Sequence, residues 1–188
     1  MSKKIVFLTS FLVIFLLNVS CNNDLRPKPN GQLLLEYPLS SYKLTATDCN
    51  YNFSVNANAI LKKKGNCNFE INYPKMKATI YLSYKPVNNN INNLLKDAQK
   101  LTYKHVIKAD NILEQAFINQ NDKVYGMFYD VEGNAATNAQ FYVTDSSKHF
   151  IDCSLYFYAK PNFDSIMPAV SYLKKDMKMM MESLKWKK

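Results

Sequence analysis

The chain has 188 residues, of which 47% are hydrophobic and 13% aromatic, which is the composition of a globular protein and not of a disordered one. Four glycines over the whole length are too few for a glycine-rich phosphate loop, and the formal charge is +9. The lysines are mostly dispersed, and their two short clusters are not interleaved with aromatic residues as in a single-strand nucleic-acid groove. We therefore expect no nucleic-acid partner.

The N-terminus has the order of an export signal. Two lysines precede an apolar run from Ile5 to Leu17, which has 13 residues, whereas a membrane-spanning helix needs roughly 20. Small Ser20 stands directly before Cys21, while Asn18 replaces the leucine usual at that position of a lipoprotein signal. The pattern predicts a lipoprotein signal peptide over residues 1–20 and acylation of Cys21. An ordinary signal peptide with an incidental cysteine is the alternative.

The chain after the signal suits one domain. Of the 188 residues, 168 remain, and the loss of two lysines lowers the formal charge to +7. Residues 22–31 contain two prolines and a glycine, so residues 21–40 are predicted to be a lipidated N-terminus on an extended tether. Residues 41–188 are expected to form a single α+β domain. The acyl chains would hold it at a cell membrane on the exported, periplasmic side, and whether that membrane is inner or outer stays open.

Strand and helix patterns follow one another along the domain. The alternation of apolar and polar residues predicts seven strands, at Tyr51–Val55, Asn66–Asn72, Lys77–Tyr84, Ile112–Ile118, Lys123–Val131, Ala139–Thr144 and Lys148–Ala159. A 3.6-residue apolar rhythm predicts one helix from about Asn90 to Lys108 and another from near Asn162 or Asp164 to about Leu184. The short turns between the later strands favour antiparallel hairpins.

These elements predict an α+β fold in which an antiparallel sheet of about six or seven strands is packed by two helices. The element order is similar to that of the Mog1/PsbP-like sandwiches, an analogy of fold that brings no function with it. The methionines of the second helix, among them Met177, Met180 and Met181, are expected to pack in the core.

Catalytic and metal-binding patterns are missing from the sequence. It has two histidines and no H-E-x-x-H, C-x-x-C or G-x-S-x-G motif, so we expect no metal, no cofactor and no enzymatic activity. The alternative is an envelope protein that binds a small ligand or acts on peptidoglycan. In that case Asp130, Glu132 or His149 would line a deep pocket.

The cysteines after Cys21 have different expected roles. An oxidising compartment permits a disulfide, and Cys49 and Cys67 stand at the starts of two predicted strand segments, so they are candidate partners. Cys153 falls on the apolar phase of its strand, which favours a buried core thiol over a nucleophile.

Four tyrosines fall opposite the apolar phase of their strands. They are Tyr81, Tyr142, Tyr156 and Tyr158, and adjacent strands would gather them into one aromatic patch. Tyrosine is enriched at protein interfaces because it offers a large contact area with a polar tip. The patch is a candidate interaction surface, unless a helix or the N-terminal tether covers it.

Six stretches of the chain are chemically distinctive. They are YLSYKPVNNN (Tyr81–Asn90), DAQKLTYKHVIKAD (Asp97–Asp110), VYGMFY (Val124–Tyr129), GNAA (Gly133–Ala136), QFYVTDSSKHF (Gln140–Phe150) and SLYFYAKPN (Ser154–Asn162). In these stretches the chain resembles the gliding motility lipoprotein GldD family. Cys21 corresponds to the lipidated cysteine of the family. The resemblance implies a lipid-anchored envelope protein required for gliding motility, with partners among the proteins of the gliding machinery and the linked type IX secretion apparatus. It implies no catalytic residue.

Overall fold

The computed structural model of the chain describes residues 36–104, 108–158 and 163–187. The predicted signal peptide, Cys21 and the tether as far as residue 35 lie outside the described residues. Within the described ranges, neither helix combines the length and the apolarity that a membrane crossing requires.

Eleven strands and two α-helices make up the described part of the chain. In chain order they are β1 (Tyr42–Leu44), β2 (Tyr51–Asn52), β3 (Ser54–Asn56), β4 (Ile60–Lys63), β5 (Phe69–Tyr73), β6 (Ala78–Pro86), α1 (Ile91–Tyr103), β7 (Ala109–Asn119), β8 (Val124–Gly133), β9 (Thr137–Thr144), β10 (His149–Phe157), α2 (Phe163–Glu182) and β11 (Lys185–Trp186). One-turn 3-10 helices at Gly65–Cys67 and Pro74–Met76 stand on either side of β5.

Seven of the strands form one antiparallel sheet in the order β4-β5-β6-β10-β9-β8-β7. The α+β class, the antiparallel sheet and the two helices are thereby confirmed. Two further pairings, β1 with β3 and β2 with β11, add small two-stranded sheets. The strand predicted over Tyr51–Val55 is divided at Phe53, because β2 pairs with the C-terminal β11 while β3 pairs with β1.

One face of the large sheet, which we call the inner face, carries the main core. Along β5, Phe69, Ile71 and Tyr73 are buried, whereas the residues between them are only partly so. This two-residue period is what a strand with one core-facing side requires. Helix α2 packs against the same face through an apolar stripe that includes Val170, Leu173, Met177, Met180 and Met181. The methionines therefore pack in the core, as predicted.

The opposite face, the outer face, is covered over part of its width by α1. Leu94 and Ala98 of α1 are buried against Phe150 of β10. The Gln140 side chain of β9 donates from Nε2 to the Ala98 carbonyl at 3.3 Å, which ties the helix to the sheet. Helix α1 ends at Tyr103, earlier than the predicted Lys108.

A disulfide joins Cys49 to Cys67, with the two Cα atoms 5.7 Å apart. It links the segment before β2 to the turn before β5, across 18 residues of sequence. The buried Tyr51 hydroxyl donates to the Cys67 carbonyl at 2.5 Å in the same region. Cys153, by contrast, is a free thiol that is completely buried in the core, and its burial raises its pKa.

Candidate interaction surface

The outer face of β6 and of the C-terminal end of β10 presents aromatic side chains beside the part that α1 covers. Residues of these strands alternate between the two faces, so Ile80 and Leu82 enter the core while Tyr81 lies on the outer face. Tyr81 and Tyr156 are partly exposed, and Tyr158, directly after β10, is 63% exposed. We call Tyr81, Tyr156 and Tyr158 the tyrosine patch.

The strand register holds the tyrosine patch together. Tyr156 lies opposite Thr79 in the pairing of β10 with β6, so Tyr81 is its diagonal neighbour. The Tyr81 and Tyr156 rings meet edge to face, with centroids 5.7 Å apart. The Tyr158 backbone N–H donates to the Lys77 carbonyl at 2.7 Å, which fixes the third tyrosine beside the other two.

Hydroxyl groups connect the patch to the sheet. The Tyr158 oxygen lies 2.7 Å from the Tyr81 hydroxyl and 3.1 Å from the Thr79 hydroxyl. Hydrogen bonds donated by Thr79 and Tyr81 lower the pKa of Tyr158, whereas the bond to Tyr158 raises the pKa of Tyr81 to about 12. The hydroxyls therefore hold one another in place while the rings stay accessible.

Two ion pairs lie on the sheet near the tyrosine patch. Glu70 of β5 lies opposite Tyr81 in the strand register and pairs with Lys64 at 3.2 Å. On the other side, Lys85 lies 3.9 Å from Asp152, whose pKa is raised by burial. Aromatic side chains at the centre with a charged rim are the arrangement typical of protein–protein interfaces.

Tyr142 does not join the other three tyrosines. It lies opposite Asp152 in the strand register, four residues along β10 from Tyr156. There its ring stacks on Phe150 with centroids 5.6 Å apart and belongs to the cluster packed by α1. The expected single patch of four tyrosines is thus a patch of three, because α1 covers the part of the sheet that carries Tyr142.

The residues considered for an alternative pocket each contact a different partner. Asp130 of β8 forms a short ion pair with Lys174 of α2, and the Glu132 carboxylate lies 3.5 Å from the Asn111 amide. His149 stacks on Trp186 at 5.1 Å, and its Nδ1 lies 2.8 Å from the Tyr84 hydroxyl. Burial lowers the pKa of His149.

Two cavities among the described residues bear on this alternative. A cavity of about 630 Å³ lies between Tyr37 and the turn after Tyr73, and one of about 400 Å³ lies beside the loop at Thr45–Asp48. Neither is lined by Asp130, Glu132 or His149. Within the described ranges, His, Cys, Asp and Glu side chains form no group of three that could hold a metal ion.

Asp176 is a buried carboxylate that the sequence reasoning did not single out. It is 1% exposed on α2 and accepts hydrogen bonds from Tyr42 at 2.6 Å, Tyr73 at 2.8 Å and the Asn56 amide at 2.9 Å. We call these four residues the Asp176 cluster. The sequence does indicate that Asp176 is buried, because it stands three residues after Leu173 and four before Met180, on the apolar stripe of the helix.

The fold is of the α+β class, and one face of its sheet carries the exposed tyrosine patch. The family model of the gliding motility lipoprotein GldD matches residues 22–186. The chain therefore belongs to the gliding motility lipoprotein GldD family, which implies a membrane-anchored envelope protein with a role in gliding. Cys21 directly precedes the matched range. No curated protein matches the chain.

Proposed function

We propose that this chain is a non-enzymatic assembly component of the gliding machinery and of the type IX secretion apparatus linked to it. In this proposal the tyrosine patch binds a protein of that machinery. The observation that carries it is the aromatic, charge-rimmed half of the outer face, which α1 leaves uncovered within the described part of the chain. Such a surface provides large contact area at little cost in side-chain entropy.

The chemistry of the surface favours a protein over a small ligand. Tyr81, Tyr156 and Tyr158 lie on the outer face of the sheet, and neither described cavity is lined by them. Small molecules usually bind in concave pockets, whereas tyrosine-rich exposed surfaces bind other proteins. The rim has lysines as well as Glu70 and Asp152, so a partner would need charges of both signs.

The test is affinity purification of the full chain after extraction from membranes, with bound proteins identified by mass spectrometry. We expect the unmodified protein to recover subunits of the gliding or secretion machinery. A Tyr156→Ala, Tyr158→Ala double variant should lose most of this recovery, because it removes the centre of the contact.

The matched control is Tyr103→Ala, which removes an exposed tyrosine on α1, outside the tyrosine patch. This variant should recover the same subunits as the unmodified chain. Circular dichroism of all variants checks that the domain is folded. Equal recovery of machinery subunits by the double variant and by the control would exclude the tyrosine patch as the binding surface.

Anchoring through Cys21 is a separate part of the proposal. Acyl chains on this cysteine would hold the domain at the periplasmic side of a membrane, since each buried methylene contributes about 0.8 kcal/mol. Replacing Cys21 by Ser should release the protein from membranes or leave its signal unprocessed. Unchanged detergent partitioning with a normally cleaved N-terminus would contradict acylation at this position.

A further inference from the structure

Strand β7 forms one edge of the large sheet and exposes apolar side chains. Its 11 residues pair with β8 on one side, and it stands last in the strand order of the described sheet. Leu113 is 44% exposed and Ile118 is 68% exposed. A long edge strand with apolar side chains is a template for pairing with another strand, and soluble proteins usually protect such edges with charges, prolines or bulges.

The sequence of this edge is nearly a palindrome. Residues 111–119 read Asn-Ile-Leu-Glu-Gln-Ala-Phe-Ile-Asn, which is symmetric about Gln115 except for the exchange of Leu with Phe and of Glu with Ala. We propose that β7 pairs antiparallel with β7 of a second copy of this chain, about a two-fold axis at Gln115. This proposal does not depend on the function of the tyrosine patch, which lies on other strands.

The proposed register brings compatible side chains together. Ile112 lies opposite Ile118 of the second copy on the outer face, and Leu113 lies opposite Phe117 on the inner face. Cross-strand pairs of aliphatic and aromatic residues stabilise antiparallel sheets. The exposed side chains of Leu113 and Ile118 are both covered in this way.

The charges of the strand also fit this register. Glu114 lies opposite the neutral Ala116, so the two Glu114 carboxylates are diagonal neighbours and not a facing pair. Asp110 lies at the bulge of β7 and therefore outside the paired segment of residues 111–119. The backbone hydrogen-bonding groups match too. The sequence numbers of two paired residues differ by an even number, so their N–H and C=O groups point towards the same side of β7. The register thus avoids facing like charges and keeps the backbone ladder continuous.

Pairing about this axis would join two seven-stranded sheets into one of fourteen strands. An isologous pairing of this kind closes on itself and does not form a fibre. The axis runs through the sheet, so the outer faces of the two copies lie on the same side. Both tyrosine patches then face the same direction, which allows two contacts with one partner surface.

Disulfide trapping of the full chain tests the register directly. Opposite residues of an antiparallel pair have Cα atoms about 4.5 or 5.5 Å apart, and both distances permit a disulfide. Under mild oxidation, Gln115→Cys should therefore give a covalent dimer above the level of the parent chain. Ile118→Cys is the control, because two copies of this residue are offset by six positions, about 20 Å along the strands.

Membrane-extracted protein in detergent is used for these variants. Dimer from Gln115→Cys but not from Ile118→Cys supports the proposal. No dimer above the parent level, or equal dimer from both variants, overturns it. A Gln115→Cys product joined to a different protein would also overturn it, because another chain would then occupy this edge.

Sedimentation of variants without new cysteines provides a second measurement. The unmodified chain should sediment as a concentration-dependent dimer, and Ile118→Lys should raise its dissociation constant about tenfold or more by placing an ammonium group against Ile112. The control is Ile60→Lys, which changes a 51% exposed isoleucine on β4 at the opposite edge. A monomeric unmodified chain, or an equal response of the two variants, overturns the proposal.

Discussion

Two groups of tyrosine hydroxyls lie on opposite faces of the same sheet. The Asp176 cluster is on the inner face, where Tyr73 is 3% exposed and donates to a carboxylate that is 1% exposed. The tyrosine patch is on the outer face, where Tyr158 is 63% exposed and its hydroxyl contacts the hydroxyls of Tyr81 and Thr79. Both groups contain hydrogen-bonded hydroxyls, but only the first has members, namely Tyr73, Asn56 and Asp176, that are removed from water.

This difference in burial separates structural tyrosines from tyrosines that are free to bind a partner. A buried donor that loses its acceptor pays a desolvation penalty of about 1–3 kcal/mol, whereas an exposed hydroxyl exchanges its partner for water. The Asp176 cluster should therefore determine stability, and the tyrosine patch should contribute little to it. Substitutions in the patch can then report on binding without unfolding the domain.

The largest effect is expected from Asp176→Ala. The change leaves the buried hydroxyl of Tyr73 without its acceptor and removes one of the acceptors of the buried Asn56 amide, which keeps the Tyr172 hydroxyl. The free energy of unfolding should therefore fall by about 3 kcal/mol. Urea denaturation followed by circular dichroism measures this loss.

Asp176→Asn provides the comparison for that measurement. Its amide keeps one acceptor oxygen, so the loss should be smaller than for alanine, and it gives a value even if Asp176→Ala does not fold. Stability equal to the unmodified protein in both variants would mean that water from the cavity beside Tyr73 satisfies the donors. The Asp176 cluster would then contribute no more to stability than the tyrosine patch does.

A smaller effect is expected when single hydroxyls are removed. Tyr51→Phe deletes a buried hydroxyl that donates to the Cys67 carbonyl, which should lower the free energy of unfolding by about 1 kcal/mol. Tyr158→Phe deletes an exposed hydroxyl and should change it by less than about 0.5 kcal/mol. The denaturant midpoints of the two variants compare the buried hydroxyl with the exposed one. An equal loss of unfolding free energy in both variants would contradict the prediction that burial decides how much a hydroxyl contributes to stability.

The sequence patterns predicted well which side chains face the core, and they predicted poorly which distant segments of the chain contact one another. Alternation predicted the strand at Asn66–Asn72, of which Phe69 and Ile71 are buried in the core, and the helical rhythm predicted the buried methionines of α2. Strands β1, β4 and β11 were missed because two to four residues are too few to show a period. The boundaries of the longer strands were accurate to a few residues, which is what local patterns allow.

Long-range packing decided what the local patterns left open. Tyr142 and Tyr156 have the same strand phase and are both partly exposed, and what separates them is that Tyr142 packs in the cluster of α1. The donors to Asp176 come from positions 103 to 134 residues earlier in the chain, so no spacing within α2 could identify them. The predicted export to an oxidising compartment made Cys49 and Cys67 candidate disulfide partners, and the structure joins these two cysteines.

The two tyrosine groups should also differ in alkaline titration. Burial, with the hydrogen bond to Asp176, raises the pKa of Tyr42 to about 12, and burial raises the pKa values of Tyr51 and Tyr73 as well. An unfolded tyrosine titrates near 10. The unfolded state therefore loses these protons first, so the stability that they contribute is complete below about pH 10 and is lost as the pH rises towards 12.

Tyr158 should behave in the opposite way, because hydrogen bonds from Thr79 and Tyr81 lower its pKa. The first tyrosinate to form in the folded protein should then be the one that Tyr158→Phe removes, as measured by ultraviolet absorbance. Tyr42→Phe should leave that first step in place and should instead reduce the loss of stability above pH 10. If the first step survives in Tyr158→Phe, the hydroxyl contacts of the tyrosine patch do not persist in solution, although its rings could still bind a partner.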